Sequence, residues 1–323
     1  MPKKRTKKTK DAKGPPAAAK AAAPRFGIGE WYGRSFVHLT EVERAEFAAL
    51  AQSHTNATAP PCPFMTTTGG GRCSKIGGVC SLRLYEQVAP ATGETKVVDG
   101  DEGELRVVCP HRFKQEGIIY SEIGCHMLGT PHPEIVGEVR FLQRANAGEQ
   151  DSQESEDVGN IDNVLVHPNR ALLQWCALEI QAVYFSGSKM KLLFEQIESF
   201  RYPGHPFPDQ SRRPDYRSSG PKRLMPQLQI KVPTLRRWGK KMAVVVDHAW
   251  FRNNVIDVAT VKDVSNSDIA WFIVTFDEST DPARIVIGQP QLQTLERAVE
   301  GLTGGYPVSL GEFETKILEK LDR

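Results

Sequence analysis

Residues 174–184 read QWCALEIQAVY, and this stretch carries the pattern that decides the fold. Successive side chains of a strand point to opposite faces, so residues two apart share a face. The predicted faces are Trp175, Ala177, Glu179 and Gln181 on one side and Cys176, Leu178 and Ile180 on the other. A carboxylate inside an apolar strand is costly to bury without partners. The stretch therefore predicts a buried strand that carries a functional site, with a structural salt bridge of Glu179 as the alternative.

Two more carboxylates precede this strand. Asp162 lies just before the apolar run 164–166, and the turn at 167–169 follows that run. If the two strands are neighbours, Asp162 lies beside Glu179, and two converging carboxylates are oxygen ligands suited to Mg²⁺. Glu138, on a strand predicted over 138–142, is a third ligand or orients the attacking water. The order Asp…Glu-x-Gln is the Asp…Glu-x-Lys nuclease pattern with Gln181 in the lysine position.

Four of the six cysteines lie close together in polar, glycine-rich sequence: Cys62, Cys73, Cys80 and Cys109. Such a cluster predicts a structural metal site in a reducing compartment, because four thiolates leave no open coordination position. The alternative is a set of small buried hydrophobic residues. Disulfides are not expected, because no secretory signal precedes the cluster. One ligand could instead be a histidine, the candidates being His111, His126 and His132.

Charge is distributed unevenly along the chain. Before residue 26 there are nine basic residues and one acidic residue, whereas the whole chain carries +2. Residues 1–25 therefore predict a disordered basic tail, which attracts polyanions or simply aids solubility. The mean hydropathy is −0.38, and no apolar run approaches the roughly 20 residues that span a bilayer. We expect a cytoplasmic protein without a membrane partner.

Strand and helix patterns are mixed along the chain. Strands are expected near 82–88, 105–108 and 270–276, and helices after Thr40, over 190–200, over 291–302 and after Ser309. The acidic run 146–160 indicates a solvated loop. Residues 203–226 are rich in proline and indicate another loop, after which apolar residues alternate. The predicted class is α/β or α+β. The predicted regions are the tail (1–25), an N-terminal region with the four-cysteine site (26–130), and a core with the carboxylates (131–323).

Basic residues cluster after the carboxylate strand. The candidates for contacts to a polyanion such as DNA are Arg212, Arg213, Arg217, Lys222, Arg223, Arg236 and Arg237. A body with net negative charge must concentrate positive charge somewhere to bind a polyanion. Arginine also pairs well with guanine in the major groove. The alternative is a solvated basic face.

Several of these motifs together resemble the NotI family of type II restriction endonucleases. The resemblance rests on the segments 62–66, 78–80 and 108–112 around the cysteines and on 178–181, followed by 185–188. Residues 266–276 are similar to a late strand of that family, and Gly137-Glu138 and Asp162 fall in the same order. The resemblance covers the chain in patches from about residue 62 to 276.

The resemblance implies a PD-(D/E)xK nuclease core, a mixed sheet flanked by helices. It implies that the four cysteines hold a structural iron ion, with zinc as the alternative metal. It also implies that Asp162 and Glu179 bind Mg²⁺, with Gln181 in the lysine position and Glu138 assisting. The implied enzyme is a homodimer that cuts both strands of double-stranded DNA at a specific palindromic site, which by analogy is GC-rich.

Two other functions remain open at this point. One is a non-enzymatic DNA-binding protein stabilised by its metal. The other is a repair nuclease with the same PD-(D/E)xK core but no sequence preference. The leading hypothesis is a Mg²⁺-dependent, site-specific DNA endonuclease.

Overall fold

The computed structural model describes residues 22–55, 57–65, 71–89, 94–142, 159–202, 204–255, 260–303 and 308–321. Nearly all of the predicted basic tail (1–25) and of the predicted acidic loop (146–160) lies outside these residues. Within them, no helix combines the length and the apolar character that crossing a membrane requires.

The described residues form strands interspersed with helices. The strands are β1 (Arg25–Trp31), β2 (Arg34–Ser35), β3 (Val79–Ala89), β4 (Glu94–Val97), β5 (Arg106–Val107), β6 (Glu134–Val136), β7 (Val139–Arg140), β8 (Asn160–Ile161), β9 (Asn163–Val166), β10 (Trp175–Ile180), β11 (Phe185–Gly187), β12 (Arg212–Pro214), β13 (Met242–Asp247), β14 (Ile269–Asp277), β15 (Arg284–Ile287) and β16 (Gln291–Gln293). The helices are α1 (Glu41–Ser53), α2 (Ile118–Leu128), α3 (Met190–Ser199), α4 (Tyr216–Ser219), α5 (Met225–Arg237), α6 (His248–Asn254), α7 (Leu295–Leu302) and α8 (Leu310–Leu321).

A seven-stranded mixed sheet forms the larger half of the fold, in the order β15-β14-β13-β10-β9-β6, with β16 also paired to β14. Strand β9 runs antiparallel to both of its neighbours, β6 and β10. Strands β10, β13 and β14 are parallel to one another. Parallel neighbours need a crossover connection, and α5 lies in the one between β10 and β13. The predicted mixed α/β class is confirmed.

Strand β10 lies in the middle of this sheet and is covered on both faces. Ala177 and Trp175 pack on the side of α5 and α7. Cys176 and Leu178 pack on the other side against α2, which contributes Ile119. This division is the one that the alternation in residues 174–184 predicts.

The second sheet is antiparallel and has the order β2-β1-β3-β4, with β5 paired to β3. Helices α1 and α3 cover it, and Trp31, Leu193 and Phe194 lie in its core. Helix α1 begins at a capping box, in which Thr40 accepts from the Glu43 amide and Glu43 accepts from the Thr40 amide.

Residues on both sides of position 130 contribute to the core of the larger sheet and to the core of the smaller sheet. The division of the chain at 130 stays a prediction.

Two sequence-based expectations about local structure are wrong, namely the loop over 203–226 and the start of the helix predicted over 291–302. Residues 203–226 contain β12, α4 and a π-helical turn at Gly220–Leu224, instead of one long loop. The alternating apolar residues after 226 form helix α5, whose buried positions include Leu228, Val232 and Leu235. Pro226 lies in the first turn of α5, where the missing N–H costs nothing. The helix predicted over 291–302 also begins later, because residues 291–293 pair as β16.

Candidate active site

The centre of the site is a pair of carboxylates held together by a buried lysine. Glu179 lies near the end of β10, and Asp162 lies just before β9, which pairs with β10. Helix α5 supplies Lys231, whose Nζ lies 2.9 Å from Glu179 Oε2 and 3.9 Å from Asp162 Oδ1. The Lys231 side chain has no exposed surface. The structure therefore brings the two predicted carboxylates together around a cation.

Burial sets the protonation behaviour of Glu179. It raises the pKa of the Glu179 carboxyl above its ordinary value, because the charged form loses hydration. The Lys231 ammonium acts in the opposite direction, and the Asp162 carboxylate raises the pKa further. A second cation between the carboxylates would favour their charged forms.

Glu138 and Gln181 lie at the edges of the same site. Glu138 is exposed next to β7, and its Oε1 accepts a hydrogen bond of 2.5 Å from Asn160 Nδ2. The backbone N–H of Gln181 extends the β10–β13 pairing by donating to Val245. Its side-chain Nε2 donates to the Ala182 carbonyl at 2.6 Å, so its amide is directed to the backbone.

All four predicted catalytic residues line one cleft of about 680 Å³. These are Glu138, Asp162, Glu179 and Gln181. Three of the predicted DNA-binding residues, Arg212, Lys222 and Arg223, line it as well. The wall next to the cysteines contributes Lys75 and Val108. The cleft therefore combines a carboxylate cluster with positive charge, as a site for a phosphodiester requires.

The four clustered cysteines meet at one end of the smaller sheet. Cys62 and Cys73 flank the bridge between Pro61 and Arg72. Cys80 lies in β3, and its carbonyl accepts from the Cys109 N–H at 3.2 Å. All four are buried, and none forms a disulfide. Cys62, Cys73 and Cys80 pack around Phe64 in a common cluster.

The thiols of this cluster influence one another's protonation. Burial raises the pKa of the Cys73, Cys80 and Cys109 thiols, as expected of groups that have lost hydration. Negative charge on neighbouring cysteines raises the pKa further. Cys62 and Cys109 act in this way on Cys73, and Cys109 acts on Cys80. Each of the four thiols therefore lies within electrostatic range of at least one other.

The histidines considered as alternative ligands differ in their surroundings. Burial lowers the pKa of His111, which follows Cys109 closely in the chain. His126 lies on α2 with its ring against Phe272 of the larger sheet. Among the residues that the structure describes, no group of three or more His, Cys, Asp or Glu side chains is already arranged to hold a metal ion.

The sequence profile of the family described as Restriction endonuclease NotI matches residues 44–287, which is well over half of the chain. The chain belongs to the NotI restriction endonuclease family. The match includes the four cysteines, the carboxylate pair and helix α5. A search of the curated proteins finds no match to this chain.

Membership in the NotI family identifies the chain as a restriction endonuclease, a hydrolase that acts on DNA. The recognition of this family from the sequence motifs is confirmed. The roles of individual residues, the metals and the number of subunits are separate questions, which the family match leaves as predictions.

The predicted DNA-binding residues of this NotI-family chain have different surroundings. Lys222 and Arg223 are exposed, and the Arg223 guanidinium stacks on the Tyr184 ring at 3.8 Å. Arg212 is buried and donates to the carbonyls of Ser188 and Lys189. Its Nη1 has no hydrogen-bond partner in the described part of the chain.

The remaining predicted DNA-binding residues lie outside the cleft lining. Arg213 and Arg217 are exposed. Arg237 is exposed and donates to Thr234 Oγ1 at 3.0 Å. Arg236 pairs with Asp268 and with Glu296, so its charge is already balanced within the chain.

Lys231 is the residue of the site that the sequence analysis missed. It belongs to a segment in which Pro233 argues against a helix. The signal that could have found it is the spacing of Leu228, Val232 and Leu235, which places three apolar residues on one helical face.

Proposed function

We propose that this NotI-family protein is a type II restriction endonuclease that hydrolyses phosphodiester bonds of double-stranded DNA with Mg²⁺ as cofactor. The observation that carries the proposal is the convergence of Asp162 and Glu179 in a cleft that also holds Arg212 and Arg223. The mixed sheet flanked by helices supports the PD-(D/E)xK core expected for this family.

The donor set of the carboxylate site suits Mg²⁺. Asp162 is exposed and Glu179 is buried, so a cation between them would have protein oxygens on one side and room for water on the other. Their present partner is the Lys231 ammonium, which shows that the pair accepts a positive charge. Bound Mg²⁺ would polarise the phosphate and lower the pKa of a coordinated water.

Hydrolysis requires one water for each bond cut. The water oxygen forms a bond to phosphorus, the bond between phosphorus and the leaving oxygen breaks, and one proton of the water ends on that oxygen. Asp162 and Glu179 hold the metal in this proposal, and Glu138 orients the water from the cleft wall. The unpartnered Nη1 of Arg212 supports a role for this residue in binding a phosphate oxygen.

Gln181 fits a supporting role better than that of a charged group. It occupies the lysine position of the pattern, but an amide carries no charge and its Nε2 is bonded to Ala182. We propose that it positions the strand end on which Glu179 lies, through its backbone bond to Val245.

The four cysteines would hold a structural metal ion, iron or zinc. The burial of all four cysteines, the common cluster of Cys62, Cys73 and Cys80, and the lack of disulfides support this assignment. Four thiolates leave no open position for substrate, so the ion would stabilise the fold near the cleft. Lys75 and Val108, which line the cleft, lie in the segments that carry these cysteines.

We further propose that the enzyme acts as a homodimer on a palindromic, GC-rich site. Two-fold symmetry of the protein would match two-fold symmetry of the site, so that each subunit cuts one strand. Exposed arginines such as Arg213 and Arg217 support guanine recognition, because their guanidinium groups pair with guanine edges.

Digestion of long, GC-rich DNA by purified protein tests the proposal. Discrete fragments are expected with Mg²⁺, and none with a chelator. Asp162→Asn and Glu179→Gln should each slow cleavage by at least about 10³-fold while DNA binding in Ca²⁺ persists. Glu134→Gln, on the neighbouring strand and outside the cleft lining, is the matched control and should cut normally.

The other outcomes separate the competing functions. A smear of products would favour a nuclease without sequence preference. Folded, metal-loaded protein that binds DNA and never cuts it would favour a non-enzymatic DNA-binding protein. Gel filtration with light scattering checks the dimer, and a monomer in the presence of DNA would contradict it.

A further inference from the structure

Lys231 is an unusual residue for the interior of this fold. Its side chain has no exposed surface, and its Nζ bonds to Glu179 at 2.9 Å. Burying an ammonium group is strongly unfavourable unless opposite charge and hydrogen bonds compensate. The carboxylates of Glu179 and Asp162 supply that compensation for the buried Lys231 ammonium. The ammonium in turn balances the negative charge of the two carboxylates.

Helix α5 aims this lysine at the site. Leu228 precedes Lys231 by three residues and Leu235 follows it by four, so the three lie on one helical face. Both leucines are buried against the sheet, and Lys231 is directed to the same side. The ion pair joins residues 52 positions apart in the chain.

The strand itself offers no cation at this place. The residue two positions after Glu179 is Gln181, whose amide is bonded to the Ala182 carbonyl. Lys231, by contrast, has its ammonium within 4 Å of both carboxylates. Helix α5 therefore provides the positive charge that the Glu-x-Gln strand lacks.

We infer that Lys231 is the lysine of this active site, supplied from helix α5 instead of from the strand. This inference rests on the proposed nuclease function. In the metal-free protein its ammonium balances the charge of the carboxylate pair. It therefore competes with any divalent cation that binds to the same two carboxylates. During cleavage it remains beside the carboxylates and adds positive charge near the phosphate.

Simple distances limit how far that phosphate can lie. A Mg²⁺ ion binds oxygen ligands at about 2.1 Å. A phosphate bound at the metal that Glu179 would hold would lie within roughly 7 Å of Lys231 Nζ, because that nitrogen is 2.9 Å from Glu179 Oε2. At such a separation a unit charge changes the cleavage rate by roughly 10- to 100-fold.

The inference makes two predictions of opposite sign for Lys231→Met. Cleavage at saturating Mg²⁺, measured in a single turnover, should slow by about 10- to 100-fold. Ca²⁺ affinity without DNA, measured by calorimetry, should rise by about 10-fold, because the competing ammonium is gone. Lys262→Met, at an exposed position outside the cleft lining, is the matched control and should change neither value.

A second variant places a lysine at the end of strand β10 instead of on helix α5. Gln181→Lys combined with Lys231→Met keeps an ammonium near Glu179, so it should fold and recover cleavage by at least about 10-fold over Lys231→Met. If Lys231→Met does not fold, the double variant is compared with the wild type directly. A folded double variant with less than about a hundredth of wild-type cleavage would overturn the inference.

Two further results would also overturn it. One is wild-type cleavage by folded Lys231→Met at saturating Mg²⁺, which would leave only a structural role. The other is unchanged or weaker Ca²⁺ binding by that variant. If the wild type itself cuts no DNA, the proposed function fails, and the Ca²⁺ measurement still decides whether Lys231 competes with a cation.

Discussion

Glu30 and Arg112 form a salt bridge that is sealed inside the protein. The Arg112 Nε lies 2.8 Å from Glu30 Oε2, and neither side chain is exposed beyond 1%. Glu30 belongs to the smaller sheet, whereas Arg112 follows the last cysteine of the cluster and donates to the Ala283 carbonyl next to β15. The pair therefore joins both sheets to the segment that carries Cys109.

Breaking this pair should destabilise the whole fold. Arg112→Met leaves the Glu30 carboxylate buried without a counter-charge, which costs about 3–5 kcal/mol. Urea unfolding should show that loss, and Glu30→Gln combined with Arg112→Met should be less destabilising than the sum of the two single changes. Strictly additive effects would show that the two charges are not coupled.

Asp247 should make the stability depend on pH. It is fully buried, accepting from the Val107 and Trp250 N–H groups, and burial raises its pKa to about 6. The pKa of an unfolded Asp is about 4. The folded state therefore holds this proton more tightly, and the resulting stability is complete below about pH 4 and lost as the pH rises through about 6.

The size of this effect is about 3 kcal/mol. Urea unfolding at several pH values between about 4 and 7 measures this effect. As the pH rises over that range, the free energy of unfolding of the wild type should fall by that amount relative to that of Asp247→Asn, whose side chain cannot ionise. Parallel pH profiles for the two proteins would contradict the assignment.

The cysteine cluster should hold one metal ion in each chain. Elemental analysis of purified protein identifies it as iron or zinc, and Cys80→Ser should lower its content and reduce Tm by at least about 5 °C. Cys176→Ser is the matched control, because Cys176 is also buried but packs in the core of the larger sheet. If wild-type protein without metal is folded and has the same Tm as the protein with metal, the structural role of the metal is contradicted.

Arg223 should contribute one phosphate contact to DNA binding. It is exposed at the cleft, next to Lys222. In Ca²⁺, Arg223→Ala should weaken binding and reduce the slope of log K against log salt by about 1. Arg297→Ala is the control, because Arg297 pairs with Glu300 on α7, away from the cleft lining. Equal effects of the two variants would indicate non-specific attraction alone.

Local patterns predicted those parts of the fold that local physics determines. The alternation in 174–184 placed Glu179 on the correct face of β10, because strand geometry fixes that face. The capping boxes at Thr40 and Ser309 predicted where α1 and α8 begin, and the structure has both sets of bonds.

Contacts between residues far apart in the chain could not be predicted from the sequence. Nothing near Glu179 indicates that Ala177 lies beside Met242 or that a lysine from a proline-containing helix lies next to the carboxylate. Helix α5 tolerates Pro233 because its packing against the sheet compensates for the lost hydrogen bond. The proximity of Lys231 to Glu179 is evident only from the folded structure.

The parallel pairing of β10 with β13 also dictates when the site can form. Its two strands are far apart along the chain, and the segment between them must be closed into a loop before their contacts are gained. Contacts of this kind form slowly. The β9–β10 hairpin can assemble from nearby residues, whereas Lys231 reaches Glu179 only after α5 has docked. We therefore expect the completed site to be a late product of folding, formed after its two carboxylates are already in place.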